Sequence, residues 1–195
     1  MINSKADYKY YLEADRLALR QTRSSPKFIG DEVWKFQRLL RKAEYLHNCK
    51  KDIFSRFFFK VVNFQLKKLS FKLGFQIPIN VFGPGLSIAH PGTIVVNNDV
   101  RVGSNCRVHV CVNIGTSGGS KQAPVIGDNV YIGPGAKIFG PIRIEDGIVI
   151  GANAVVNKSF LEKNITIAGI PAKKISNKDS GCHLVKATEL IGPIR

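Results

Sequence analysis

A six-residue period in aliphatic side chains is the feature that most constrains the fold of this 195-residue chain. A helix repeats every 3.6 residues and a simple strand every two, so neither produces this spacing. Hexapeptide repeats are typical of a parallel β-helix, in which three short strands form one coil and aliphatic side chains point inward. We therefore predict a coil over residues 88–161. Its inward positions are Ile88, Ile94, Val100, Cys106, Val112, Ile126, Ile132, Ile138, Ile144, Ile150 and Val156.

The period is interrupted between Val112 and Ile126, which are 14 residues apart. The extra residues lie in the Gly- and Ser-rich segment 115–122. Solenoids accommodate insertions as loops on their outer face, and such loops often bind ligands. Because glycine lets the backbone approach a ligand closely, this segment is a candidate binding loop, and a mobile excursion without function is the alternative.

Residues 1–74 are predicted to form an N-terminal helical segment. Ser4 has capping-box spacing before the first helix, and Asp31 and Asp52 are placed to cap a second and a third. Gly74 is a suitable stop for the third helix. The fold class is thus mainly β, with N-terminal helices.

The third predicted helix is rich in both Phe and Lys. This combination is typical of a helix that lies on a membrane surface, and it predicts a peripheral membrane contact as one alternative. The other alternative, which we favour, is that the Phe face packs on the other helices or on the β-domain.

The chain carries 29 Lys and Arg against 14 Asp and Glu, a net charge of +15. A basic surface attracts phosphates, anionic lipid head groups and acidic polymers, although a solvated helical face explains the charge equally well. No nucleic-acid-binding motif accompanies it, so we predict no nucleic-acid partner.

The four cysteines lack metal-type spacing and indicate reduced thiols, with no metal. Without a signal-peptide pattern or an apolar run that spans a bilayer, we expect a cytoplasmic protein, with the inner face of the membrane left open.

Several segments resemble the serine acetyltransferase branch of the hexapeptide acyltransferases. They are FQ at 75–76, HPGTIVV at 90–96, NIG at 113–115, VIG at 125–127, IGPGAKI at 132–138, IGA at 150–152 and AGIPA at 168–172. The resemblance implies a left-handed parallel β-helix over residues 75–175, followed by a C-terminal tail at 176–195. It also implies a homotrimer, with a dimer of trimers left open.

The resemblance assigns His90 as the general base that removes the proton of an acceptor hydroxyl, with acetyl-CoA as the acyl donor. An imidazole that titrates near neutrality suits this task. His109 lies 19 residues beyond His90 and is a candidate for acceptor binding or for the base itself. Family members orient the histidine with an Asp after the Phe-Gln pair. Here Ile77-Pro78 replaces it, and Asn80 or a neighbouring subunit is the candidate substitute.

The resemblance also implies a groove between neighbouring coils in which the CoA arm lies against the main chain. Small residues suit such a groove, and two lysines could meet the CoA phosphates. The predicted cofactor-binding residues are Gly115, Thr116, Pro134, Gly135, Ala152, Lys173 and Lys174.

Three further departures bear on the acceptor. Ala89 stands where the serine enzymes carry an acid, and Gln122-Ala123 stands where they carry an Arg-His pair. A zwitterionic amino acid needs charged partners. We therefore expect transfer to a sugar or glycan hydroxyl, of the kind that related enzymes acetylate in surface polysaccharides. Serine O-acetylation and a non-catalytic β-helix scaffold remain the alternatives.

Overall fold

A computed structural model describes residues 1–119 and 122–193, so Ser120 and Lys121 of the predicted loop lie outside the described residues. The helices are α1 (Lys5–Ala18), α2 (Glu32–Cys49), α3 (Ile53–Leu73) and α4 (Ala187–Ile191). The strands are β1 (Phe75–Gln76), β2 (Ser87–Ile88), β3 (Ile94–Val96), β4 (Arg101–Val102), β5 (Arg107–Val108), β6 (Val112–Gly115), β7 (Val125–Ile126), β8 (Tyr131–Ile132), β9 (Lys137–Phe139), β10 (Arg143–Ile144), β11 (Val149–Ile150), β12 (Val155–Val156), β13 (Thr166–Ala168) and β14 (Lys173–Ser176). No helix among the described residues is long and apolar enough to cross a bilayer.

The strands form three sheets that wind around one core. Sheet 1 contains β1, β3, β6, β9 and β12, sheet 2 contains β4, β7 and β10, and sheet 3 contains β2, β5, β8, β11, β13 and β14. All pairs are parallel except β13 with β14. Ile94 pairs with Val112, so one coil spans three hexapeptides. The predicted parallel β-helix with N-terminal helices is confirmed.

Each of the eleven predicted inward side chains is at most 2% exposed. Between the strands the chain turns at residues with positive φ, among them Asn105, Cys111, Asn129 and Asn153. Asparagine tolerates this left-handed conformation better than most residues do. The six-residue period therefore has two parts, an inward aliphatic residue on each strand and a polar or small residue at each corner.

The helix boundaries follow the predicted signals with one exception. Ser4 accepts a hydrogen bond from the Asp7 amide, Asp52 accepts one from the Ser55 amide, and Gly74 ends α3 with φ +76°. Asp31 does precede α2, but its side chain makes no capping bond there.

The Asp31 carboxylate turns away from α2 toward the loop before it. It accepts hydrogen bonds from the Arg23 guanidinium at 2.8 Å and from the Lys27 amide at 2.9 Å. The capping role predicted for Asp31 is therefore wrong, because its oxygen is used to close the connection between α1 and α2.

Helix α2 covers the first coil of the β-helix. The buried side chain of Gln37 donates to the Leu86 carbonyl at 2.7 Å and accepts from the Ile88 amide at 3.2 Å. Strand β2 is an edge strand, whose free backbone groups need partners when they are buried. Gln37 supplies both partners, so the helical segment closes an end of the coil that would otherwise be open.

The C-terminal segment folds back along sheet 3. Ser180 is buried, and its amide and hydroxyl donate to the Gly147 and Asn129 carbonyls. Further on, the Thr188 amide donates to Asn105 at 3.1 Å, and Ala187 of α4 packs against α1. This segment therefore runs from the last coils back to the N-terminal helices.

Candidate active site

His90 lies at the corner where the chain passes from sheet 3 to sheet 1. It lies two residues after the end of β2, and its side chain is exposed. Gly92 fixes this corner with φ +142°, and its amide donates to the Leu73 carbonyl at 2.9 Å. A Cβ at Gly92 would meet the Val110 side chain at 2.9 Å, so a larger residue would disturb the turn that presents His90.

Four rings from successive segments lie side by side near this corner. The ring centroids of His90 and His109 are 5.9 Å apart, those of His109 and Tyr131 are 5.1 Å apart, and those of Tyr131 and His183 are 4.8 Å apart. The parallel register places Val108 beside both Ile88 and Ile132, which brings the neighbouring side chains into this row. His109, although 19 residues beyond His90 in the sequence, therefore lies beside it in the fold.

His109 has a lowered pKa. Partial burial is the largest cause, and the nearby Arg107 and His90 side chains add to it. Each of these disfavours a second proton on the imidazole. His109 is therefore neutral at pH 7 and can accept one hydrogen bond while donating another.

Asn80 does not serve as the orienting partner of His90. Its side chain exchanges two hydrogen bonds with Asn48, at 2.8 and 3.0 Å, and its amide donates to Glu44. Asn80 lines a separate cavity of about 120 Å³, beside Tyr11. The predicted role is wrong because the amide group holds the first coil to α2.

A pocket of about 680 Å³ opens beside the row of rings. Its walls come from the connection between α1 and α2, from sheet 3 and from the C-terminal segment. The lining residues are Leu19, Arg20, Gln21, Asp31, Glu32, Val33, Trp34, Ile88, Ala89, Pro91, Arg107, His109, Tyr131, Cys182 and His183. The neighbouring residues Ala89 and Pro91 place His90 at the rim of this pocket.

Two arginines give the pocket a positive region. The Arg107 guanidinium donates to the Ser87 hydroxyl at 2.8 Å, and burial, together with the nearby Arg20, lowers the pKa of Arg107. Among the described residues, neither Arg20 nor Arg107 forms an ion pair. Their charges are therefore available to an anionic group.

Trp34 also lines the pocket. It is 2% exposed, and its buried indole Nε1 has no hydrogen-bond partner among the residues that the structure describes. A buried donor without a partner costs roughly 1–3 kcal/mol. Asp31 and Glu32 supply carboxylates to the same wall, and the hydrogen bonds from Lys27 and Arg23 hold the pKa of Asp31 below its usual range.

Three of the seven predicted cofactor-binding residues follow the corner that carries His90. Pro134 and Gly135 lie there between β8 and β9, and Ala152 lies there between β11 and β12. Pro134 and Ala152 are exposed, while Gly135 has φ +76° and no room for a Cβ beside Asn153. Coils are spaced by about 4.8 Å, so these residues extend in a line away from His90.

The remaining cofactor-binding candidates lie elsewhere on the coil. Gly115 ends β6 at the opposite end of sheet 1, where a Cβ would meet only Asn113 at 3.8 Å, and Thr116 follows it. Lys173 and Lys174 begin β14 and are exposed, and Lys174 forms an ion pair with Glu162 at 2.5 Å. The charge of Lys174 is thus partly neutralised, which leaves Lys173 as the freer cation of the two.

Sequence reasoning missed Arg107, Tyr131, His183 and Trp34. Arg107 and Tyr131 occupy outward positions of the hexapeptide repeat, and the pattern leaves the residue type at those positions open. His183 could not be placed because the tail carries no periodic signal. In residues 1–119 and 122–193, no three His, Cys, Asp or Glu side chains form a group that could hold a metal ion.

Comparison with known families identifies the coil. Residues 123–158 match the model described as bacterial transferase hexapeptide (six repeats). The serine acetyltransferase of Mycobacterium tuberculosis is 38% identical over 100 residues, which cover 50% of this chain and 43% of that protein. The chain thus spans about half the length of the curated relatives that it matches.

Solved structures agree with the observed fold. The serine acetyltransferase of Brucella abortus has a TM-score of 0.72 at 23% identity, covering 90% of this chain and 72% of that one. The same enzyme in complex with coenzyme A has a TM-score of 0.63 at 27% identity, covering 88% and 67%. The predicted left-handed parallel β-helix is confirmed.

Proposed function

We propose that this chain, a hexapeptide-repeat transferase by its coil, transfers an acetyl group from acetyl-CoA to a hydroxyl group. The observation that carries the proposal is the position of His90. It stands at the rim of a pocket of about 680 Å³ and at the start of a corner lined by small, exposed residues. The pocket would hold the acceptor, and the corner would hold the pantetheine arm.

His90 acts as the general base. It takes the proton of the acceptor hydroxyl as the oxygen forms a bond to the thioester carbonyl carbon. The carbon–sulfur bond then breaks, and the imidazolium returns its proton to the departing sulfur. The neutral His109, whose ring lies 5.9 Å from that of His90, can orient the hydroxyl without competing for the proton.

The acceptor that the comparisons support is serine rather than a sugar. The relatives and structures compared above are serine acetyltransferases, and they do not support the sugar or polysaccharide acceptor expected from the sequence. That expectation rested on Ala89, Gln122 and Ala123, which are uncharged where the serine enzymes carry an acid, an arginine and a histidine. The pocket supplies other charges: Arg20 and Arg107 are placed for a carboxylate, while its two carboxylates, Asp31 and Glu32, already pair with Arg23 and Lys35.

A panel of acceptors tests this assignment by release of the CoA thiol. We expect L-serine to be acetylated with kcat/KM of about 10⁴ M⁻¹s⁻¹ or above, the range of ordinary enzymes. Ethanolamine lacks the carboxylate, glycolate lacks the ammonium group, and both should be poorer. Saturable transfer to N-acetylglucosamine or another sugar, with L-serine inactive, would contradict the serine assignment and restore the sugar acceptor.

Arg107→Ala should raise KM for L-serine by about 10–100-fold, with a smaller effect on kcat. A charged hydrogen bond contributes about 1.5–3 kcal/mol, and each 1.4 kcal/mol is tenfold in affinity. Steady-state kinetics at varied L-serine measure the change. Arg101→Ala is the matched control, because Arg101 is an exposed arginine on sheet 2. An unchanged KM in the Arg107 variant would show that the carboxylate binds elsewhere.

We further propose that the active unit is a homotrimer, with the CoA groove shared between neighbouring coils. Light scattering should then give about three times the 21.5 kDa mass of one chain. Six times that mass would indicate a dimer of trimers. A monomeric mass at the concentration at which the enzyme is active would rule out a shared groove. We also propose that the reaction takes place in the cytoplasm, where acetyl-CoA is present.

A further inference from the structure

Helix α3 presents a face of large apolar side chains to solvent. Phe54, Phe57, Phe64 and Phe71 are 83, 68, 71 and 88% exposed. The helix packs on the rest of the protein through its opposite side, where Val62, Leu66 and Leu73 are buried. The expectation that the Phe face packs within the chain is therefore wrong, since these rings contact solvent.

The exposed side chains form a continuous stripe. Phe57, Phe64 and Phe71 are spaced by seven residues, as are Phe54 and Val61, and this spacing keeps them on one side of a helix. Helix α3 has 21 residues and is therefore about 31 Å long. Exposed apolar patches of this extent usually mark a surface that another molecule covers.

The charges within α3 have one sign. Residues 53–73 contain five basic residues and no acidic residue, and Lys50, Lys51 and the N-cap Asp52 precede them. The basic residues within the helix are Arg56, Lys60, Lys67, Lys68 and Lys72. Of these, Lys72 contacts Glu32 at 3.5 Å, at the outer limit of an ion pair, and no other forms an ion pair among the described residues.

A seven-residue spacing of apolar residues also suits a helix that pairs with a second copy of itself. Such pairing requires complementary charges on either side of the stripe. Two copies of α3 would instead bring ten cations together without an acid from either helix. The whole chain has only 14 acidic residues against 29 basic ones, so another surface of a second copy is also a poor match.

We propose that α3 docks this protein on the surface of an anionic phospholipid bilayer. The Phe stripe enters the boundary between head groups and acyl chains, and the Lys and Arg side chains lie among the lipid phosphates. The buried apolar area and the attraction to anionic lipids both contribute to the binding free energy. We therefore expect strong binding to need both the Phe stripe and the basic side chains. Each cation near such a surface strengthens binding, and salt weakens this part of the attraction.

Vesicle flotation with the full chain tests the proposal. We expect the protein to float with vesicles that contain phosphatidylglycerol, to float much less with phosphatidylcholine alone, and to be released as NaCl is raised. Equal recovery with both lipids, or no recovery with either, would overturn it.

Two double variants separate the apolar and the charged contributions. Phe57→Ser with Phe64→Ser, and Lys67→Glu with Lys68→Glu, should each weaken binding to phosphatidylglycerol vesicles at least about tenfold. All four side chains are exposed, so both variants should fold and retain acetyl transfer in solution. Leu161→Ser and Lys158→Glu make the same kinds of change on exposed residues of the coil and should leave flotation unchanged.

Light scattering of the same variants tests the alternative that a second copy of this chain, rather than a membrane, covers the Phe stripe. If the Phe57→Ser, Phe64→Ser variant falls to a smaller oligomer while flotation of the wild type is lipid-independent, the stripe is an interface between copies and the proposal fails. An unchanged mass together with lost flotation supports the membrane contact.

Discussion

His90→Ala is expected to lower kcat by about 10²–10⁴-fold, the usual contribution of a general base. A neutral hydroxyl is a poor nucleophile, and without the imidazole its proton must go to water. Acetyl-CoA affinity should change little, because in the proposed mechanism His90 acts on the acceptor, whereas the small residues that follow along the corner hold the acyl donor. Steady-state kinetics and a direct measurement of acetyl-CoA binding separate the two effects.

His47→Ala is the matched control, because His47 is an exposed histidine on α2 that lines a different groove. It should retain the kcat of the wild type. If His90→Ala retains near-normal kcat while His109→Ala loses activity, the base is His109.

Arg41→Leu is expected to lower the free energy of unfolding by about 3–5 kcal/mol, the usual cost of removing one partner of a buried ion pair. The Arg41 side chain is fully buried and pairs with Asp15 at 2.8 Å and with Glu44 at 3.0 Å. It also donates to the carbonyls of Phe82 and Gly83 on the first coil. Its loss leaves two buried carboxyl groups and two carbonyls without their cation.

Urea unfolding monitored by circular dichroism measures this change. Arg143→Leu is the control, since the Arg143 side chain is 64% exposed and its pair with Glu145 lies at the surface. Surface pairs contribute about 0–1 kcal/mol, so the midpoint of this control should hardly move. An equally small change for Arg41→Leu would mean that the helical segment and the coil are not joined through this cluster.

The coil was predictable because the same physical requirement, an apolar side chain that points inward, recurs every six residues. Every inward position must be apolar, so eleven positions such as Ile94 and Val112 report the same geometry, and all of them are buried. The caps at Ser4, Asp52 and Gly74 were predictable for a similar reason, since each depends on a few neighbouring residues. These parts of the fold are local or periodic.

The parts that escaped prediction depend on contacts between distant segments. Asn80 binds Asn48 on α2, and His183 reaches the pocket only because the C-terminal segment returns along sheet 3. No spacing in the sequence indicates either contact. The charges on which the proposed acceptor depends escaped prediction for the same reason: matched positions such as Ala89 lack charge, whereas Arg20 and Arg107 come together only in the folded chain.

Product analysis by mass spectrometry tests the central claim most directly. Wild-type protein is incubated with L-serine and acetyl-CoA that carries a labelled acetyl group, beside His90→Ala. We predict labelled O-acetyl-L-serine in amounts equal to the CoA released, and about 10²–10⁴-fold slower formation by the variant. CoA release without a labelled hydroxyl ester, or equal rates for both proteins, would contradict acetyl transfer from the site at His90.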